Sequence, residues 1–341
     1  MIPDEKSTAV SNGIREAFGT SVIEDIRPMP ARLGSDLIFR IVVNGSPFQL
    51  TIMTRRDEIN DPQRTFGAMR AMAEAGLSPA MRHVNTEDGI AINDFVEKSP
   101  FPVSVALSRI PEMLRKLHAL PRFSKTFNYV TAHNGFIWRF RGANLLPRTE
   151  VEEVFARYEQ LCAVYPRLDA DMVSCHGDLK PENILFDGRR LWLVGWKAAM
   201  VNDRYFDLAV AANFLVAGET DRMAYLEDYF GRPADEYQSA RFFLMSQVVH
   251  MLSATVYLLL GSAGTPIDGS TPIPGFRDFH QRVWAGEVDL GDNAMKTLYG
   301  RVHWNQLLQN LRAPGFDEAL KIVSSRAADP TGIQRLLPSA P

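Results

Sequence analysis

Residues 174–186 read SCHGDLKPENILF, followed by Asp187-Gly188 and a second apolar run, residues 191–194 (LWLV). Two short apolar segments around an Asp-Gly pair predict a β-hairpin, with a type I′ turn as the natural connection. The loop just before it carries His176, Asp178, Lys180 and Asn183. Polar side chains crowded against buried strands are costly unless they have partners or chemistry to perform. How this loop is understood therefore decides how the rest of the chain is understood.

Phosphoryl transfer calls for such a grouping. An aspartate orients an acceptor hydroxyl and takes its proton, an asparagine holds a metal ion that neutralises the phosphates, and a lysine meets the transferring group. The pattern resembles the catalytic loop of the kinase superfamily. HGD with an asparagine five residues after the aspartate is the form of the aminoglycoside phosphotransferase and choline kinase branch, while Lys180-Pro181-Glu182 is nearer the protein-kinase version. The resemblance implies Asp178 as base, Asn183 as metal ligand, Lys180 as phosphate contact and His176 as a brace for the loop.

Working outward, further segments resemble the same family. Residues 115–120 (RKLHAL) match the helix that precedes the loop, and Asp203 with Asp207-Leu208-Ala209 matches a later segment whose second aspartate, Asp207, supports the loop. Ala75-Gly76-Leu77-Ser78-Pro79 matches the end of the N-lobe helix, and Asp94-Phe95-Val96 with Glu97 falls at the purine-binding hinge. The implied architecture is α+β: a protein kinase-like bilobal fold. A small N-terminal antiparallel-sheet lobe would span residues 1–96, and a larger, mainly helical C-terminal lobe residues 97–341.

The chain's own patterning agrees with this outline. Residues 36–43 (DLIFRIVV) and 48–53 (FQLTIM) flank Asn44-Gly45-Ser46-Pro47, which predicts a hairpin. Asp61 as N-cap, Pro62 in the first turn and Gly76 at the end predict a helix, and residues 90–96 a strand. Residues 104–120 and 150–164 are periodic helices, whereas residues 122–148 are aromatic and loop-like with no element assigned. From Tyr205 onward the pattern is helical apart from a Gly/Pro-rich loop at residues 261–275, and the tail from Ala327 is expected to fray.

The family pattern also breaks. Its metal-binding aspartate, usually followed by tryptophan, corresponds to Gly195 ahead of Trp196. The N-lobe lysine aligns with Thr51, with Arg40, Arg55 and Arg56 as alternatives, and its acidic helix partner falls near Thr65 or Gly67. The phosphate-covering loop, residues 31–36, offers one glycine, Gly34, beside Ser35. Lys197 stands two residues beyond Gly195. Long lysines are mostly exposed, so a solvent-exposed side chain is the simple expectation. The alternative is a phosphate-binding cation that stands in for the metal.

The resemblance implies ATP or GTP with Mg²⁺ as cofactor and a small hydroxyl-bearing metabolite as acceptor. The missing aspartate argues against tight metal binding and leaves a catalytically impaired pseudokinase as the alternative. A choline-type acceptor would call for an aromatic cage, for which Trp284, Trp304 and Tyr257 are candidates. His250 is expected to be a satisfied buried histidine.

Composition narrows the remaining classes. With 46% hydrophobic and 23% charged residues and a net charge of −3, the chain has the make-up of an ordinary globular protein and no basic footprint for nucleic acid. Two cysteines without ligand spacing fit a reducing, cytoplasmic setting. Residues 242–260 are long and apolar enough to span a bilayer, but Ser246, Gln247, His250, Ser253 and Thr255 interrupt them. A buried helix and no membrane partner are expected.

Overall fold

A computed structural model describes residues 2–29, 36–58, 60–124, 129–166, 168–267 and 271–326. Gly34, Ser35 and the tail from Ala327 lie outside them. The chain begins with helix α1 (Asp4–Phe18) and strands β1 (Asp25–Pro28), β2 (Leu37–Val43) and β3 (Ser46–Ile52). Helix α2 (Pro62–Glu74) and strands β4 (Met81–Asn85) and β5 (Ile90–Asp94) follow. The five strands form one antiparallel sheet in the order β1-β2-β3-β5-β4. Asn44 and Gly45, both at positive φ (50° and 72°), close the β2–β3 hairpin, the backbone that a two-residue type I′ turn needs. Asp61 caps α2 by accepting from the Gln63 N–H, and Gly76 ends it at φ 70°.

Strand alternation gives the sheet two apolar faces. On one, Phe39, Ile41, Leu50, Ile52, Ile90 and Ile92 pack against Val10 and Ile14 of α1. On the other, Met53 and Ala91 meet Phe66 of α2.

The chain continues through helices α3 (Val103–His118), α4 (Tyr129–Gly142) and α5 (Arg148–Val164) and strand β6 (Met172–Cys175). The loop-like stretch at residues 122–148 thus contains a helix; Ile137 and Phe140 anchor it while Trp138 stays exposed. Next come the hairpin strands β7 (Ile184–Phe186) and β8 (Leu191–Leu193), strand β9 (Met200–Asp203), and helices α6 (Arg204–Leu215), α7 (Glu219–Phe230), α8 (Glu236–Gly261), α9 (Phe276–Trp284), α10 (Asn293–Arg312) and α11 (Pro314–Arg326). Helix α8 has the length and composition of a membrane span, yet 61% of its most apolar window is buried. It packs against α4, α6, α10 and α11, which explains why it is apolar all round.

Two compact units emerge. The first comprises Met1–Pro102, Arg122–Phe127 and His176–Met200; the second comprises Val103–Pro121, Asn128–Cys175 and Val201–Pro341. They interleave along the chain, whereas the sequence suggested a single division after residue 96. Backbone bonds explain why the β7–β8 hairpin groups with the first hundred residues. Leu193 N–H donates to the Leu77 carbonyl (2.8 Å) and Ser99 N–H to the Phe186 carbonyl (2.7 Å).

Candidate active site

The loop at residues 176–183 is held by its own sequence. His176 is fully buried; its Nε2 lies 2.9 Å from the Val194 carbonyl and its Nδ1 3.2 Å from the Asp178 N–H. A carbonyl only accepts and an amide only donates, so this geometry calls for the Nε2–H tautomer. The ring also lies against Trp196, with centroids 4.4 Å apart. Gly177 has φ 81°, and a Cβ there would meet the Ala198 carbonyl oxygen at 2.4 Å. The glycine of the HGD triplet is thus demanded twice, by backbone conformation and by space.

Asp178 and Asn183 meet directly. The Asn183 amide donates to the Asp178 carbonyl (2.7 Å) and to its carboxylate Oδ2 (3.1 Å). Lys180 Nζ lies 3.2 Å from Oδ1 of the same carboxylate and 3.4 Å from Glu182 Oε1. The lysine side chain is 7% exposed and that of Asp178 38%. A sheltered cation therefore sits beside a carboxylate that solvent, or an acceptor hydroxyl, can reach.

The hairpin behind the loop has the expected strands, with Ile184 opposite Leu193. Its turn differs from the type I′ expectation. Asp187 is absent from the positive-φ residues and only Gly188 has positive φ (90°), while type I′ needs both central residues there. The Asp187 carboxylate instead accepts from the N–H groups of Arg189 and Arg190 and from the Trp192 indole, which pulls its pKa down to about 2.

Gly195 has φ 83° and ψ 45°, followed by a short 3₁₀ turn at Trp196–Ala198. Buried Trp196 donates to Ser78 Oγ (2.8 Å), which donates on to the Leu193 carbonyl (2.7 Å). Lys197 is not the exposed side chain expected. Its ammonium is 3.0 Å from Asp36 Oδ2, with the two side chains 22% and 17% exposed, and the other Asp36 oxygen is buried without a hydrogen bond.

Sequence reasoning passed over Arg64. From α2 its guanidinium reaches the carbonyls of Lys197 (2.7 Å) and Ala199 (2.9 Å), and burial lowers its pKa. The one hint in the sequence is its place beside Thr65, at the position expected for the acidic helix partner. Thr51, facing the same sheet side as Gln49 and bonded to its amide (3.3 Å), is buried and uncharged. None of the three arginine alternatives takes the lysine's place as a simple cation. Arg40 interacts with Asp25 and Glu97 and lies over the Phe95 ring, Arg56 is bonded to the carbonyls of Thr86 and Glu87, and Arg55 is exposed.

At the end of β5, Asp94 is gripped by Arg82 through two bonds of 2.6 and 2.8 Å. A cavity of about 360 Å³ is lined there by Asp94, Phe95, Val96 and Glu97 together with Ser78 and Trp192. Asp207 belongs to the second unit, where its Oδ2 lies 3.2 Å from His118 Nε2. Asp203 of the same segment caps α6 through the Tyr205 N–H and binds Arg241 at 2.6 Å.

Two further expectations concern the helical unit. Trp284, Trp304 and Tyr257 do not assemble into one cage. Tyr257 and Trp284 belong to a core cluster with Phe279 and Tyr299, while Trp304 packs on Phe140 and bonds to Glu150. His250 is buried as expected, with its Nδ1 3.0 Å from that of His303.

The residues fit a tightly held divalent metal poorly. Asn183 offers a neutral oxygen, the carboxylate beside it, Asp178, is already held by Lys180, Gly195 offers no side-chain oxygen, and Lys197, two residues on, is itself a cation. Hard divalent cations are normally held by carboxylates.

The model of the phosphotransferase enzyme family matches residues 32–243. Two forms of Protein LicA from Haemophilus influenzae are 24% identical over 160 residues, 44% of this chain and 46% or 59% of theirs. The chain thus spans about half the length of the curated relatives it matches. Among solved structures, a choline/ethanolamine kinase family protein from Mesorhizobium loti superposes with a TM-score of 0.67 at 20% identity, over 95% of this chain and 100% of that one. A choline kinase from Cryptosporidium parvum Iowa II gives 0.65 at 10% identity over 94% and 99%. Choline kinase LicA from Streptococcus pneumoniae gives 0.59 at 13% over 90% and 99%. Likeness at such identities establishes the fold, which is protein kinase-like.

Proposed function

The chain belongs to the phosphotransferase enzyme family, and from that premise we propose that it moves the γ-phosphoryl group of ATP or GTP to a hydroxyl of a small metabolite. The observation that carries this is the Asp178 carboxylate, open to solvent on one side and held by Asn183 and Lys180 on the other. Asp178 takes the acceptor proton as the new O–P bond forms and the bond to the nucleoside diphosphate breaks; the proton then passes to solvent. Lys180 exchanges part of its contact with Asp178 for the transferring phosphoryl oxygens. Residues 94–97 receive the purine, with Gly34 and Ser35 in the phosphate-covering loop. Mg²⁺, where bound, would supply charge neutralisation, but this donor set does not fit it and no step runs through it.

The test is transfer from ATP and GTP to a panel of small alcohols and amino alcohols. Asp178→Asn is expected to lower turnover by roughly 10²–10⁴-fold, the usual size of general-base effects, with nucleotide affinity unchanged. Equal turnover in the variant would remove Asp178 from the mechanism.

A second reading, a nucleotide-binding pseudokinase, draws on Gly195 and the Lys197–Asp36 pair. Calorimetry with ATP and GTP, with and without Mg²⁺, separates the two. Nucleotide binding together with turnover supports the enzyme, whereas nucleotide binding without turnover in either condition supports the pseudokinase.

A further inference from the structure

The helical unit holds a cavity of about 440 Å³ that phosphoryl transfer at the Asp178 loop does not account for. It opens among Asn213 and Val216 at the end of α6, Ser246 and His250 of α8, and Phe276 and Arg277 at the start of α9. Cavities of this size hold small molecules.

Several independent features give it a sign. Arg277 forms no ion pair among the described residues. Its one hydrogen bond runs from Nη1 to the Asn213 backbone carbonyl (3.1 Å), and burial, outweighing the charge of Asp221, lowers its pKa. A guanidinium carries five N–H donors, so most of its capacity is unspent. Asn213 is 7% exposed, lines the cavity, and its side-chain amide has no hydrogen-bond partner among the described residues. Its amide is open to the cavity, where a ligand can reach it. Gly275 caps α9 without a side chain, so no side-chain cap covers the first-turn N–H groups, which favour negative charge. The one acid among the lining residues, Asp278, is exposed.

Other groups leave Arg277 as the local cation. Burial holds His250 and the neighbouring His280 neutral, with pKa values of about 3. Phe242 and Phe276 form apolar wall, but a quaternary ammonium would meet the Arg277 charge, offset only by the half-buried Asp221, whose carboxylate is already engaged by the Ala217 N–H (2.9 Å). We propose that this cavity binds a small molecule through a carboxylate or phosphate group, with Arg277 and Asn213 as its polar anchors.

The test compares malate, inorganic phosphate and choline chloride, at ionic strength fixed with NaCl, by thermal unfolding and calorimetry. Malate or phosphate is expected to raise the unfolding midpoint with the logarithm of its concentration above Kd, and whichever responds identifies the anchoring group. Arg277→Gln, and independently Ser246→Asp on the opposite wall, should each weaken that binding at least tenfold, while Arg277→Lys should retain part of it. Ser246 is on a different helix from Arg277, so it tests the site even if α9 tolerates no change. The proposal is overturned by no anion response beyond the NaCl control, by a response unchanged in both variants, or by choline binding more tightly than either anion.

Discussion

Gly195→Asp is expected to exchange a little stability for metal-dependent nucleotide binding. At φ 83° and ψ 45° the residue sits in the left-handed region. There an L-residue costs roughly 1–2 kcal/mol, aspartate less than most because its short polar side chain bonds locally. The variant should therefore be destabilised by about 1 kcal/mol in urea without metal, and Gly195→Ala by the same or slightly more. Against this, one preorganised charge-stabilising group is worth about 2.7–4 kcal/mol. If that is realised in binding, nucleotide affinity in Mg²⁺ should rise by roughly 10²–10³-fold at 1.4 kcal/mol per decade. Lys197, 3.0 Å from Asp36, would partner the new carboxylate if it competes with the metal, so the observed gain should fall at or below the lower figure. The assay is calorimetry with ATP and GTP, with and without Mg²⁺, beside urea denaturation of each variant. A folded Gly195→Asp protein whose affinity ignores Mg²⁺ would refute the reasoning and move the limiting defect to Thr51 and the N-lobe.

Other outcomes follow from the same contacts. Lys197→Ala should weaken metal-free nucleotide binding about tenfold, and Asp36→Asn should strengthen it by releasing the ammonium, each worth on the order of one charge-assisted hydrogen bond; unchanged affinity in both would make the pair purely structural. Gly177→Ala should cost roughly 2–4 kcal/mol in urea denaturation, since left-handed strain is compounded by a contact of 2.4 Å with the Ala198 carbonyl; a loss under 1 kcal/mol would mean the loop relaxes freely. Stability should also fall as pH drops. Burial depresses His250 and His280 to about 3 and His303 well below its usual value, so from about pH 6.5 downward the unfolded chain binds protons that the folded one refuses. The contribution is complete above pH 6.5 and is lost by up to about 1.4 kcal/mol per pH unit per histidine. Urea melts at pH 7.5, 6.5 and 5.5 should show this slope, and His280→Leu should flatten it; an unaltered slope would assign it elsewhere.

What the sequence by itself determined is short-range. The HGD loop, the Asn44-Gly45 turn, the Asp61 cap and the Gly76 stop each depend on residues within a few positions, where backbone sterics and local hydrogen bonds dominate. The glycine at the family's metal-aspartate position is equally legible, because the apolar run ending at Val194 precedes it and Trp196 and Asp207-Leu208-Ala209 follow it. Helix α1 is hard to read from the sequence because its buried positions reduce to Val10, Gly13 and Ile14 in an otherwise polar run, and β1 is four residues of which three are exposed. The tertiary structure alone decided how charges are partnered. Lys197 meets Asp36 across 161 positions, and Arg64 reaches carbonyls more than 130 positions away. Arg277, Asn213 and Ser246 line one cavity from three helices. Whether a charge is solvated, paired or left wanting a ligand depends on what lies across from it, and neither periodicity nor propensity carries that information.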